Sequence, residues 1–313
     1  MGIDGCAKVL LFSIIFSSCA TQKRGPEFRA DLSLVRPYSF ELENEKPLPA
    51  PYVATFSKNG KKLFFVASEH LSLKRYPNAL EAPILRTISK LFSEEHPQVV
   101  IVEGLNTAEE ISPKSMIAPS DKCEASRYAN GCGEPIFAIN QARKSTADYI
   151  TGEPVEATIL KEALNSGYST EDVLGYYLVR QIPQFKRQNN FSMSSFSKQV
   201  DHYLKSFRRD LGVDLQFGFS EFRNWYSLRM PKPRDFLDIE NDDTAPDAGP
   251  GATYIQRISH TVSLSRDRAV VKTIERMLNR YDRVLVVYGG SHLITEEPAL
   301  KAMLGSPLYA KPF

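Results

Sequence analysis

Cysteine is scarce, with four in 313 residues. Cys123 and Cys132 have no histidine nearby, and two sulfurs alone do not make a zinc cage. No apolar run reaches the ~20 residues that a helix needs to cross a bilayer. A charge excess is missing too: 39 basic against 37 acidic residues leave a net charge of +2, with both signs interspersed. That excludes the basic stripe of a nucleic-acid partner. Internal repeats are absent. So are the G-x-S-x-G elbow, the Walker loop, the H-E-x-x-H pair and the Rossmann glycine fingerprint. What is present is a hydrophobic fraction of 42%, ordinary for one large globular domain.

The N-terminus carries the clearest local signal. Val9 to Phe16 form a short apolar run behind Lys8 and end at Ser17-Ser18-Cys19. The run is too short to span and fits the h-region of a signal peptide. Small residues before a cysteine resemble the lipobox of bacterial lipoproteins, which implies cleavage before Cys19 and its lipidation. Phe16 and Asp4 depart from the usual pattern. N-myristoylation at Gly2 is the rival, but Cys6 stands where Ser or Thr belongs. A plain cleaved signal is the bland alternative. The expected division is 1–18 signal peptide, 19–48 lipidated cysteine and polar tether, and 49–313 folded domain. Export would leave Cys123 and Cys132 as a pair free to form a disulfide within one loop, contributing about 2–3 kcal/mol. The expected place is the bacterial cell envelope, with Ala20 after Cys19 suiting an outer-membrane anchor facing the periplasm.

The pattern of the domain is α/β: a mainly parallel central sheet opened by a β-hairpin and flanked by helices. Tyr52 to Ser57 and Lys61 to Ala67 read as hairpin strands around Lys58-Asn59-Gly60. Leu80, Ile84, Leu85, Ile88, Leu91 and Phe92 share a helical face. Val99 to Val102 and Arg283 to Tyr288 are apolar throughout, as in strands buried on both faces. Asp148 to Thr151 is a shorter candidate. Helices are expected from about Pro154 to Gly167, from Glu171 behind Thr170 as N-cap, along the Phe196 to Leu211 face, and from about Ser265. Residues 231–252 are rich in Pro, Gly and Asp and read as a long exposed loop able to serve as a lid.

Four chemically useful side chains fall just beyond strand ends: His70, Glu103, Glu153 and His292. In a parallel α/β sheet, sites form outside those ends. Two imidazoles with a carboxylate suit a divalent metal, which polarises a carbonyl and lowers the pKa of water, while a spare carboxylate takes the proton. Each also has a structural reading, as a helix cap, an arginine partner or a hydrogen-bonded histidine. His96 suits a helix C-terminus and His202 a helix surface; His260 stays a weak site candidate.

The order of these motifs resembles the TIKI/TraB family, in a wider group with erythromycin esterases and ChaN-type haem-binding lipoproteins. The matching residues are Ala67-Ser68-Glu69-His70 for a first G-x-x-H, Val100-Ile101-Val102-Glu103 for a strand ending in Glu, and Thr151-Gly152-Glu153. Arg266-Asp267 match an arginine–acid pair opening a helix, and Gly289-Gly290-Ser291-His292-Leu293 match the second G-x-x-H. Ala67 departs from the first glycine, and Glu69 beside His70 is closer to the esterase and haem-binding branches. The resemblance implies a metal-dependent hydrolase, with proteolysis known for some members. His70, His292 and Glu103 would be metal ligands, for Mn, Zn, Co or Fe. Glu103, Glu153 and Glu69 would be catalytic carboxylates. Arg266 would stabilise negative charge and Asp267 would orient it. The alternatives are haem or iron binding without catalysis, a metal-independent esterase, and a structural or signalling lipoprotein with a decayed site.

Overall fold

A computed structural model describes residues 27–71, 75–104, 110–128, 132–186 and 192–313. The signal run, Cys19 and the lipidation site lie outside these residues. Two strands open the sheet, β1 (Tyr52–Lys58) and β2 (Lys61–Ser68). They form an antiparallel hairpin in which Lys58 pairs with Lys61. The turn residues Asn59 and Gly60 both have positive φ, 53° and 78°, the left-handed pair that matches strand twist.

β3 (Val99–Val102), β4 (Asp148–Thr151), β5 (Arg283–Gly289) and β6 (Leu308–Ala310) complete a six-stranded sheet in the order β4-β3-β5-β2-β1-β6. β2, β3, β4 and β5 are parallel. β1 and β6 form the antiparallel margin. β2 and β3 are not neighbours as a simple strand–helix–strand reading suggests, because β5 pairs with both. A strand buried from Val284 onward thereby takes the centre, where both faces are covered.

Alternation within the strands sorts their side chains into two cores. Leu63, Phe65, Val284, Val286 and Tyr288 face one side. Phe64, Val66, Leu285 and Val287 face the other. The second side is covered by α1 (Pro83–Glu94) and α3 (Gly133–Lys144). Leu80 precedes α1 in a short 3-10 turn and is exposed, so it does not share the apolar face of Ile84, Leu85, Ile88, Leu91 and Phe92. Cys123 lies in α2 (Ile117–Ala125) and Cys132 just before α3. They form a disulfide with Cα atoms 5.6 Å apart, joining two helices rather than closing one loop.

A third core lies mainly between helices. It is built by α4 (Glu156–Asn165), α5 (Thr170–Lys186), α6 (Met193–Leu211), α7 (Phe219–Arg229) and the first half of α8 (Tyr254–Leu278). Ser169, not Thr170, caps α5: its hydroxyl accepts from Asp172 N–H while Asp172 accepts from Ser169 N–H. α8 begins well before the expected Ser265, behind Thr253 and Gln256 in a reciprocal cap. Ile255, Ile258 and Val262 join the helical core; Val270, Val271, Ile274 and Met277 join the sheet. α9 (Gly290–Leu304) follows β5 directly.

Two segments are more ordered than their composition suggests. In the expected tether, Phe28 and Val35 are buried. Phe28 N–H donates to Asn279 Oδ1, Ala30 N–H to Glu275, and Arg36 N–H to the Thr295 carbonyl. The fold therefore starts before residue 49. In the expected exposed loop, Phe236 and Ile239 are buried in the helical core, and Thr244, Ala245 and Pro246 line the main cavity.

Candidate functional site

Strand register brings the site together. Ser68 at the end of β2 pairs with Gly289 at the end of β5. Val102 at the end of β3 pairs with both Val287 and Thr151. The residues that follow, His70, Glu103, Glu153 and His292, therefore emerge along one edge of the sheet. The helical layer roofs that edge: Tyr176 and Arg180 of α5 and Ser259, Val262 and Arg266 of α8 enclose a cavity of about 300 Å³ with His70, Glu103 and His292.

Both histidines are held at Nδ1 by a buried carboxylate. His292 sits in the first turn of α9, and its Nδ1 is 2.5 Å from Asp267 Oδ1. Its Nε2 is 3.4 Å from Glu103 Oε1. Burial opposes the charged imidazole, but Asp267 and Glu103 outweigh it and raise the His292 pKa well above the ordinary histidine value. His70 Nδ1 is 3.0 Å from Glu134 Oε1. That carboxylate also accepts from the Ser68 hydroxyl at 2.5 Å and from Leu71 N–H at 3.0 Å. The Glu134 hydrogen bond raises the His70 pKa. His70 has φ 61°, a left-handed conformation uncommon outside glycine. Its N–H is anchored on Ser68 Oγ at 2.9 Å.

Glu103 lies between the histidines. Gly289 N–H donates to its Oε2 at 2.7 Å. A Cβ at Gly289 would stand 3.3 Å from His70 Nε2 and 3.4 Å from Glu103 Oε2. The first glycine of Gly289-Gly290-Ser291-His292 thus keeps that space open and points a bare N–H at the carboxylate. Burial pushes the Glu103 pKa up, yet His292, His70 and Arg266 together hold it far below the usual range.

Arg266 and Glu153 form a buried bidentate pair, with Nε at 2.6 Å and a terminal nitrogen at 2.5 Å from the carboxylate oxygens. Arg266 also approaches Glu103 Oε1 at 4.0 Å. Arg266 and Asp267 lie in the middle of α8 rather than opening it. Asp267 contacts His292, not the arginine it was expected to orient. Glu69 is not among the cavity residues; it pairs with Arg75 at 2.9 Å. His260 lies between Ser259 and Val262 on α8, and its buried Nδ1 has no hydrogen-bond partner among the described residues. His202 is exposed on α6.

Two carboxylates went unseen in the sequence. Glu134 sits in the first turn of α3, where an acidic residue reads as dipole compensation. Glu296 on α9 is fully buried, and neither of its oxygens has a hydrogen-bond partner. Burial and the nearby Asp267 push its pKa well above the glutamate value. Asp267, His292 and Glu296 offer ligand atoms within 4.8 Å of one another, and this buried group could hold a metal ion. No family model, curated protein or solved structure matches the chain.

Proposed function

We propose that this chain is a metal-dependent hydrolase of the bacterial cell envelope, lipid-anchored through Cys19 and acting on peptide bonds. One observation carries the reading. Two imidazoles, each fixed at Nδ1 by a buried carboxylate, flank Glu103 in a cavity at the strand ends. A carboxylate behind a histidine sets its tautomer and raises its basicity, the arrangement typical of metal-binding imidazoles. The resemblance to the TIKI/TraB family supports the same chemistry.

The donor types suit a divalent ion of the Mn, Zn, Co or Fe kind, while among the described residues the ligand atoms that lie within 4.8 Å of one another are those of Asp267, His292 and Glu296. His70 and His292 would hold it through Nε2, with Glu103 beside them. The alternative group of Asp267, His292 and Glu296 is less suited to catalysis. The His292 Nδ1 is engaged by Asp267, and Glu296 does not line the cavity. When bound, the ion supplies Lewis acidity at the scissile carbonyl.

The chain's own groups do the rest. Asp267 and Glu134 orient the imidazoles. Glu103 has Oε2 pinned by Gly289 N–H, and its Oε1, 3.4 Å from His292 Nε2, would take a proton from the attacking water. His292 and His70, with Arg266 beyond its pairing to Glu153, keep Glu103 ionised. The lining is largely hydroxyl and charged groups, which suits a polar scissile group better than a haem macrocycle.

Elemental analysis of the chain from Ala20 onward, after metal-supplemented growth, tests the reading. Near-stoichiometric metal is expected, lost in His70→Ala and His292→Ala and kept in Glu296→Gln. Loss in Glu296→Gln would move the ion to the buried group. Metal absent from every protein would end the metal reading and favour His292, backed by Asp267, as a metal-free general base.

A further inference from the structure

A second, larger cavity of about 680 Å³ adjoins the first. The two share Tyr38, and residues 36–43, 244–251 and 259–267 contribute to both. Besides the strand-end and α5 residues, the first cavity is lined by Tyr38, Glu43, residues 244–246, and Ser259 to Asp267 of α8. The second cavity is lined by residues 36–42 and 247–251, with His260 from α8. They are successive parts of one groove along α8. Its character changes along the way. Near the reactive end it carries Thr244, Ser259 and Ser263, while the far end is mostly apolar, with Phe40, Leu42 and Pro250.

Resting on the hydrolase reading above, we propose that this groove binds an extended peptide and that its far end is a subsite for a large apolar side chain. A hydrocarbon chain would leave the hydroxyl-bearing part of the groove unpaired, which costs free energy, whereas peptide amides satisfy it. His260 Nδ1, buried without a partner, gives the far end one polar contact for the peptide backbone. The spacing follows from the helix. His260 and Arg266 are separated by about 9 Å along α8 at 1.5 Å per residue. An extended peptide advances roughly 3.3 Å per residue. The apolar side chain therefore falls about three residues from the scissile bond.

The test uses the full chain in detergent with a randomised peptide library, and the cut sites are identified by mass spectrometry. The expected result is an enrichment of about tenfold or more for Phe, Leu or Met some three residues from the cut. Ala248→Trp fills one wall and Phe40→Asp charges the other, and each should erase that preference. A second arm uses hexapeptides carrying benzoylphenylalanine as a photoprobe. They should crosslink to residues 36–42 or 247–251 in the wild-type chain and in His292→Ala, but not in Ala248→Trp. Crosslinking there without any cleavage would keep the groove and reject the hydrolase. Cleavage without an apolar preference, a preference unmoved by both variants, or crosslinks scattered elsewhere would overturn the subsite.

Discussion

At the scale of single residues, the site depends on what is left out as much as on what is present. Gly152 shows this beside the catalytic glutamate candidate Glu153. A Cβ there would stand 2.5 Å from the Tyr288 hydroxyl and 3.1 Å from Val270. Tyr288 is fully buried in the central strand and packs edge-on to His292 with ring centroids 5.4 Å apart. It cannot retreat without disturbing that imidazole. Gly152→Ala should therefore cost about 1–3 kcal/mol by overpacking and also perturb His292. A urea titration checks the first effect; the metal content of the folded variant checks the second. A variant as stable as the parent would mean that Tyr288 moves more freely than its packing suggests.

Residue roles were legible where the backbone itself announced them. His70, Glu103 and His292 follow strands with unbroken apolar runs, and Glu153 follows the shorter Asp148–Thr151, so their place at the strand ends could be read directly. Glu134 and Glu296 could not. Each lies in a helix beside residues of ordinary helical polarity, and burial of a carboxylate is decided by what packs over it. The Gly289 N–H is a backbone donor, and only the register of β5 against β2 and β3 aims it at Glu103.

At the scale of elements, the boundaries of β2, β3, β4 and β5 followed closely from hydrophobic runs, whereas α8 was read as half its length. Its first half faces the helical core and its second half the sheet, so the apolar stripe has no single direction to detect. The helical layer has its own polar lock. Asp172 of α5 is 2% exposed. It accepts from the Trp225 indole at 2.9 Å and pairs with Arg229 at 3.2 Å. Burial pushes its pKa up, but the Ser169 and Trp225 hydrogen bonds, with Tyr254 and Arg229, bring the net value below the ordinary one. Its folded pKa thus lies below its unfolded pKa. The stability it contributes is fully present above about pH 4, the unfolded aspartate value, and is lost as pH falls through the folded value. The chain has one tryptophan, so indole fluorescence reports this site alone. Acid titration should show Trp225 exposed at a higher pH in Asp172→Asn than in the parent. Coincident curves would show that the lock contributes nothing in acid.

At the scale of the whole molecule, α8 ties the helical core to the sheet with Arg266 and Asp267 at the junction. A continuous helix shared by two cores should make them unfold together. Phe222→Ala, in the centre of the helical core, removes a fully buried ring and should cost about 3–5 kcal/mol. Indole fluorescence and far-ultraviolet dichroism should then shift by the same amount on heating. Separate transitions would show that the helical layer melts alone and that α8 breaks near the site.

The N-terminal segment has a practical consequence. Composition alone places the start of the domain near residue 49, where a soluble version would naturally be cut. Yet Tyr38 and Glu43 line the reactive cavity and residues 36–42 wall its extension. A protein trimmed at residue 49 keeps every strand of the sheet and discards one bank of its own binding channel. Failure of such a preparation to bind or act would be a fact about where the gene was cut, not about the chain's own chemistry.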